Sequence, residues 1–283
     1  MLMLTFFRHK DMAIDDIFWT SYVCDENGKI NGGMIYTYKD GESECIARVA
    51  LCNASMGEEQ LLVGVQNLYP NAEGFKGIIT YNISQNEVKE ILNCDRIKDF
   101  LGGSNLDFRG SVQMTGDGKL YYFVCDGKMI LYDAEKDDLE ILFETSCYQY
   151  MLNESETCIY YSENSTLFKY DLIGMKNVSL INDVNNFSVS KDENIIIYEN
   201  RKEQRLYLYQ IDSGENEKLL DLNYPDSQIS ISNDNCYLLY TDYTESLIPT
   251  NRKVEICVLD LKSRRVSIIY NGNYSDNIRN VFW

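Results

Sequence analysis

Four thirteen-residue segments of this chain align on one another without a gap: Ser111 to Phe123, Gln149 to Tyr161, Asn186 to Tyr198 and Gln228 to Tyr240. Each reads polar, apolar, any, apolar, then a short turn of Thr, Ser, Asn, Asp or Gly, then an apolar run ending in an aromatic residue. Their turn-opening residues, Thr115, Asn153, Ser190 and Ser232, stand 38, 37 and 42 positions apart. A unit this short cannot bury its own apolar face, so a repeat at this spacing must stack its copies side by side. That constraint outranks any local propensity.

The residue types inside the repeat say what each copy is. Asp and Asn accept local backbone hydrogen bonds and tolerate positive φ, so Asp117, Asp192 and Asp234 sit where a tight hairpin needs them. The β-branched and aromatic run after each turn suits a strand covered on both faces. A third strand follows at a constant offset, at Met129 to Asp133, Leu167 to Asp171, Leu206 to Gln210 and Ile256 to Asp260, and a fourth after it, at Leu139 to Phe143, Val178 to Ile181, Glu217 to Leu220 and Val266 to Tyr270. The same pair recurs upstream at Ile78 to Asn82 with Val88 to Leu92, and at Met34 to Tyr38 with Cys45 to Val49. The expectation is an all-β chain, residues 1–283 as a single domain, in six four-stranded units around a ring; a tighter parse of the first hundred residues gives seven. Asn280 to Trp283 matches the start of the repeat, whereas the first unit, around Ile17, Phe18 and Trp19, has no first strand of its own. A C-terminal strand that completes the N-terminal unit closes the ring and removes two sheet edges. Leu2 to Phe7 is the other candidate for that strand.

The turns Thr115-Gly116-Asp117-Gly118-Lys119 and Ser190-Lys191-Asp192-Glu193-Asn194 resemble the Ser-Pro-Asp-Gly-Lys turn of TolB-like and WD40-like β-propeller repeats, and Tyr132-Asp133-Ala134, Tyr170-Asp171-Leu172 and Leu259-Asp260-Leu261 resemble the third strand of that family. The resemblance covers about residues 105 to 270. No turn keeps the family's Pro, only Thr115 to Lys119 keeps its Gly, and there is no WD dipeptide. It implies a propeller of four-stranded blades serving as a binding platform.

Composition narrows the partners. Twenty-six basic against 44 acidic residues leave a net charge of −18, which repels phosphate backbones and anionic lipid and argues against nucleic acid or a membrane surface as partner. The nine cysteines are scattered and never paired as C-x-x-C, the pattern of reduced thiols in a cytoplasmic protein rather than of a disulfide framework or a zinc site. The N-terminal Met1 to Lys10 puts apolar residues ahead of basic ones, which inverts a secretory signal, and it reads as a strand. A soluble monomer is expected.

Catalytic motifs are scarce. His9 is the one histidine, read as a strand residue, and no G-x-S-x-G elbow occurs; Gly102-Gly103-Ser104-Asn105 reads as a flexible loop between units. The pairs Asp15-Asp16, Glu58-Glu59 and Asp137-Asp138 fall at polar turns where solvated charge is the default, and Asp25-Glu26-Asn27-Gly28 lacks the further ligands of a calcium loop. No cofactor or metal is expected. In a propeller the first strand of every blade lines the axis, and the residues that open those strands are Ser111, Gln149, Asn186, Gln228 and Asn280, all small or amide-bearing and uncharged. They suit either satisfaction of backbone groups and channel water or a neutral polar ligand site. Arg109, Tyr148 and Arg279, read as preceding those strands, add groups that hold a carboxylate or a peptide. Two function classes follow: a non-catalytic propeller that binds a protein, a peptide or a small polar ligand at one face or axial mouth, and an enzyme whose axial pocket acts on a sugar, lactone or peptide through carboxylates. Convergence of carboxylates from two blades in a closed pocket discriminates them.

Overall fold

The computed structural model describes residues 17–24, 30–39, 42–49, 51–56, 61–67, 75–103, 106–244, 253–273 and 278–283. Leu2 to Phe7, His9, Asp15-Asp16, Asp25 to Gly28, Glu58-Glu59 and Ser104-Asn105 therefore lie outside the described residues, as do the side chains of Cys24, Cys52, Arg279 and Asn280.

Six four-stranded antiparallel sheets account for every described strand. Blade A joins β1 (Ile17–Cys24), β2 (Ile30–Lys39) and β3 (Glu42–Val49) to the last strand of the chain. Blade B holds β4 (Leu51–Met56), β5 (Leu61–Asn67), β6 (Phe75–Asn82) and β7 (Glu87–Asn93). Blade C holds β8 (Phe108–Met114), β9 (Leu120–Cys125), β10 (Lys128–Asp133) and β11 (Asp138–Glu144). Blade D holds β12 (Gln149–Leu152), β13 (Cys158–Glu163), β14 (Thr166–Asp171) and β15 (Lys176–Asn182). Blade E holds β16 (Val184–Val189), β17 (Ile195–Asn200), β18 (Arg205–Gln210) and β19 (Asn216–Asp221). Blade F holds β20 (Ile229–Ile231), β21 (Tyr237–Tyr243), β22 (Lys253–Asp260) and β23 (Val266–Asn273). The last strand, β24 (Ile278–Phe282), pairs with β1 and is the first strand of blade A. The inner strands β4, β8, β12, β16, β20 and β24 touch one another in that circular order, so the sheets close into a six-bladed β-propeller.

Each blade alone is a twisted ribbon with two faces to cover, and the core accordingly divides into clusters between neighbouring blades. Val63, Val65 and Ile78 of blade B meet Phe108, Val112 and Phe123 of blade C, and Ile197 and Leu206 of blade E meet Ile229, Leu238 and Leu259 of blade F. At the closing interface Leu239, Val254 and Ile256 of blade F pack on Ile17, Trp19, Ile278 and Val281. These continuous apolar second and third strands are the ones the repeat marks. The pattern of Asn280 to Trp283 suggests a buried Phe and Trp; instead Val281 is the buried residue, and Phe282 and Trp283 are half-buried because they line the channel.

One element departs from the all-β expectation. Helix α1 (Cys94–Leu101) fills the link between blades B and C, capped by Asn93 Oδ1, which accepts from the Asp95 N–H at 2.8 Å, and ended by Gly102 at φ 69°. Cys94 and Ile97 are buried against the blade B–C cluster, a spacing of three that puts both on one helix face. The sequence carried that signal, an Asn cap and a C-terminal Gly, but a link this short between strands reads first as loop. Among the described cysteines Cys94, Cys125, Cys147, Cys158 and Cys257 are buried, and burial pushes Cys94 up to about 11 and Cys125 up to about 12. Cys236, whose apolar neighbours in the sequence suggest a buried thiol like Cys158 and Cys257, is exposed: it closes the hairpin turn and only the next residue enters the strand.

Candidate functional site

The hairpin turns of blades C to F form one end of the ring. Thr115, Ser190 and Ser232 each donate a hydroxyl hydrogen bond to the Asp two residues on, at 2.7, 2.7 and 2.6 Å, and the same oxygens accept the N–H that opens the next strand, from Leu120, Ile195 and Tyr237. Asp117, Asp192 and Asp234 do accept the backbone hydrogen bonds expected of them, from Lys119, Asn194 and Cys236. They are not the positive-φ residues. That conformation falls one position later, at Gly118, Glu156, Glu193 and Asn235, with φ between 55° and 68°.

Those one-later residues do something the sequence did not announce. Glu156 Oε1 accepts the Gly116 N–H of blade C at 2.8 Å, and Glu193 Oε1 accepts from Asn153 Nδ2 of blade D at 2.6 Å. Glu193 Oε2 also takes the Tyr160 hydroxyl at 2.9 Å and Lys169 Nζ at 3.1 Å. Burial alone would raise the Glu193 carboxyl, but the hydrogen bonds from Asn153, Lys169 and Tyr160 outweigh it and hold the group below the usual range. The turns of blades D and E are thus each clasped to the blade before by a Glu side chain on a left-handed residue.

An axial channel of about 800 Å³ runs from these turns toward the other end of the ring, lined by the inner strands. Ser111, Gln149, Asn186 and Gln228 all face it, as the repeat implied. Arg109 and Arg279 do not precede their strands but belong to β8 and β24. Gln149 is committed: Nε2 donates to the Phe187 carbonyl at 2.7 Å and Oε1 accepts the Phe187 N–H at 2.9 Å, so its amide acts as a piece of backbone bridging blades D and E. Asn186 Nδ2 lies 3.4 Å from Glu199 Oε2. The side chains of Ser111 and Gln228 make no protein hydrogen bond among the described residues. Trp283 Nε1 donates to the Ser230 carbonyl at 2.8 Å, pinning β24 to blade F at the channel wall.

At the strand-start mouth, a narrower space of about 440 Å³ is lined by Tyr148, Gln149, Glu163, Asn185, Asn186, Asp226 and Gln228. Gly110, at φ 66°, lets β8 bulge there: a Cβ would come within 2.7 Å of the Tyr150 ring and 2.8 Å of the Tyr148 carbonyl. The bulge aims Arg109 over the Tyr148 ring, 4.9 Å from its centroid, while Asp107 holds the guanidinium at 2.7 Å. Tyr148 itself is 71% exposed.

The carboxylates near this mouth were missing from the sequence reading. Glu163 Oε1 accepts from the Ser146 N–H and hydroxyl and from Thr145, and Asp242 accepts the Asn223 N–H at 3.1 Å. Glu199, fully buried, accepts the N–H groups of Asp226 and Ser227 at 2.9 Å each, and burial raises its carboxyl. All three sit at the ends of second strands and tie down the links between blades. Glu163 and Asp242 share a repeat position, two beyond the aromatic that ends the aligned segment, and that alignment was the available signal. Among the described residues no group of three or more His, Cys, Asp or Glu side chains has metal-binding geometry, and no helix is long and apolar enough to cross a membrane.

No protein-family model and no curated protein matches the sequence. Solved structures do match the fold. A chain of a nidogen/laminin complex superposes with a TM-score of 0.65 at 12% identity, over 94% of this chain and 97% of the other. TolB from Acinetobacter baumannii gives a TM-score of 0.70 at 11% identity over 95% of this chain, which spans 66% of that protein. A TolB from Agrobacterium tumefaciens, itself described as putative, gives 0.62 at 10% over 91% and 90%. The class is that of six-bladed propellers with an axial channel, with the architecture found in TolB. At this level of identity the likeness concerns the fold.

Proposed function

We propose that this propeller is a non-catalytic binding module that takes a protein or peptide segment at the strand-start mouth of its channel. The observation that carries the reading is Tyr148, an exposed aromatic ring fixed under Arg109 beside Ser111 and Gln228, whose polar groups are not spent on the fold. Aromatic and Arg side chains that are rigid before binding make efficient interface anchors, because little side-chain entropy remains to be lost. Gln149 leaves the ligand-reading set, since its amide is committed to Phe187. Asp107 already neutralises Arg109, so the guanidinium serves as a planar platform more than as a trap for a ligand carboxylate. The carboxylate-enzyme alternative is weakened by the same kind of commitment, Glu163 to Thr145 and Ser146 and Asp226 to Asn185. A reducing cytoplasm remains the proposed location, supported by the free thiols of seven described cysteines.

Tyr148→Ala combined with Arg109→Ala tests the site. Thermal unfolding should hardly change, because Tyr148 supports no core cluster. A partner recovered by pull-down with the wild-type protein should bind the double variant at least about tenfold more weakly, the loss typical of a removed anchor pair. Wild-type affinity in the double variant would move the site to the outer blade edges.

A further inference from the structure

The hairpins between third and fourth strands give five copies of one turn, and one copy is chemically out of line. Four residues separate the anchor from the fourth strand in blades B, C and D, and five in blades E and F. In blades C, D and F the anchor Asp133, Asp171 or Asp260 accepts the N–H groups two and three residues on. In all five a residue four beyond the anchor is left-handed: Asn86, Asp137, Met175, Gly214 and Arg264, with φ of 53°, 53°, 51°, 72° and 60°. Asn, Asp and Gly suit that conformation; Met175 and Arg264 do not, but Arg264 is spent in an ion pair with Glu217 at 2.6 Å. Two residues beyond the anchor stand Ser84, Glu135, Asp212 and Lys262, against Ile173 in blade D. The strained Met175 is 72% exposed and Ile173 is 81% exposed, with Val178 55% exposed on the adjoining edge strand. Neither folding propensity nor core packing accounts for two large apolar side chains at two tip positions where none of the four sister turns has one.

The tip is a knob, and the charge around it selects what can receive it. The corresponding turns of the neighbouring blades carry Glu135, Asp137 and Asp138 on blade C and Asp212 and Glu215 on blade E, against Lys136, which is paired with Asp133 at 2.6 Å, and Lys176 beside Met175, so the balance stays acidic in a chain of net charge −18. An anionic bilayer is repelled by that field, whereas a surface edged with Lys and Arg is drawn to it. The Leu172 N–H bonds to the Thr157 carbonyl, which puts the knob on the face of the hairpin turns, opposite the Tyr148 mouth. We infer that the blade D turn is a docking knob, Ile173 and Met175 being its anchors, for a protein partner that presents an apolar surface bordered by basic side chains. This surface stands apart from the Tyr148 site and does not depend on it.

The test uses the full chain and a defined probe, a labelled amphipathic helical peptide of Leu and Lys whose apolar face is bordered by lysines, titrated by fluorescence anisotropy. Ile173→Ser with Met175→Asn should lower its affinity at least about tenfold, while Val266→Ser with Ile268→Ser, changing equally apolar exposed positions of β23, should not. Asn fits the left-handed position, so the first variant should unfold at the same temperature or higher, which separates lost docking from lost structure. The inference is overturned if the peptide fails to bind the wild type or binds both double variants alike. It is also overturned if the wild type, but not the first variant, floats with phosphatidylcholine/phosphatidylglycerol vesicles or self-associates in gel filtration.

Discussion

Gln149 and Phe187 stand on neighbouring blades, yet the Gln149 amide makes both hydrogen bonds that a paired strand would make to the Phe187 backbone, at 2.7 and 2.9 Å. Inner strands of a propeller are too far apart to pair directly along their length, so a side chain that mimics a peptide group supplies the missing rung. Trp283 on Ser230 and Ser188 Oγ accepting from the Ile231 N–H do the same at other blade junctions.

Gln149→Leu keeps the size of the side chain and removes both partners of a buried N–H and C=O. It should destabilise the fold by about 1–3 kcal/mol, the cost of leaving buried polar groups unpaired. A urea titration with unchanged slope and a lower midpoint is the expected result, and an unchanged midpoint would return the amide to the ligand-reading set.

Glu193 and Glu199, on one blade, should respond to pH with opposite sign. The Glu193 carboxyl is held low in the fold, so its contribution is present above the unfolded value near about 4.3 and is lost as pH falls through the lower folded value. Burial raises the Glu199 carboxyl, so its contribution is full below about 4.3 and is lost as pH rises through the higher folded value. Melting temperatures measured across the acid range should therefore show the wild type losing ground to Glu199→Gln as pH rises, and to Glu193→Gln as pH falls. Parallel curves for either pair would contradict the assignment.

Removal of residues 280–283 deletes the buried Val281 and the Trp283 bond to Ser230 and strips β24 from β1. Loss of the packed side chains alone should cost about 3–5 kcal/mol, and the reopened ring exposes two sheet edges in addition. The expected outcome is insoluble or molten protein, read by gel filtration and thermal unfolding. A truncation that melts like the full chain would mean that β24 does not close the ring.

The hairpin segments were legible because their signal is local and repeated. A turn hydroxyl, an Asp two residues on and an apolar run carry the same physics wherever they occur, as the bonds of Thr115, Ser190 and Ser232 demonstrate. Ring closure was legible too, since Asn280 to Trp283 is half a hairpin whose partner, Phe18 to Thr20, stands at the far end of the chain. Helix α1 was missed because a single short link has no second copy to compare with.

The channel-facing positions followed from the repeat, but their chemistry did not. Uncharged amides at Gln149 and Asn186 look alike in sequence, and only the neighbouring blade decides that one bridges backbone and the other leans on a buried Glu199. The same holds for Glu163, Glu193 and Glu199, ordinary acidic residues in a chain with 44 of them until blade packing brings backbone N–H groups of a different segment into reach. Sequence by itself determined the blade, because hydrophobic period and turn chemistry act within a dozen residues, and it pointed to six blades closed by the C-terminal strand, which the pairing of β24 with β1 decided over seven. Tertiary structure decided which polar side chains are spent on holding blades together, because those hydrogen bonds form between residues brought together only by the ring, and it decided which large side chains, like Tyr148 and Ile173, are left exposed.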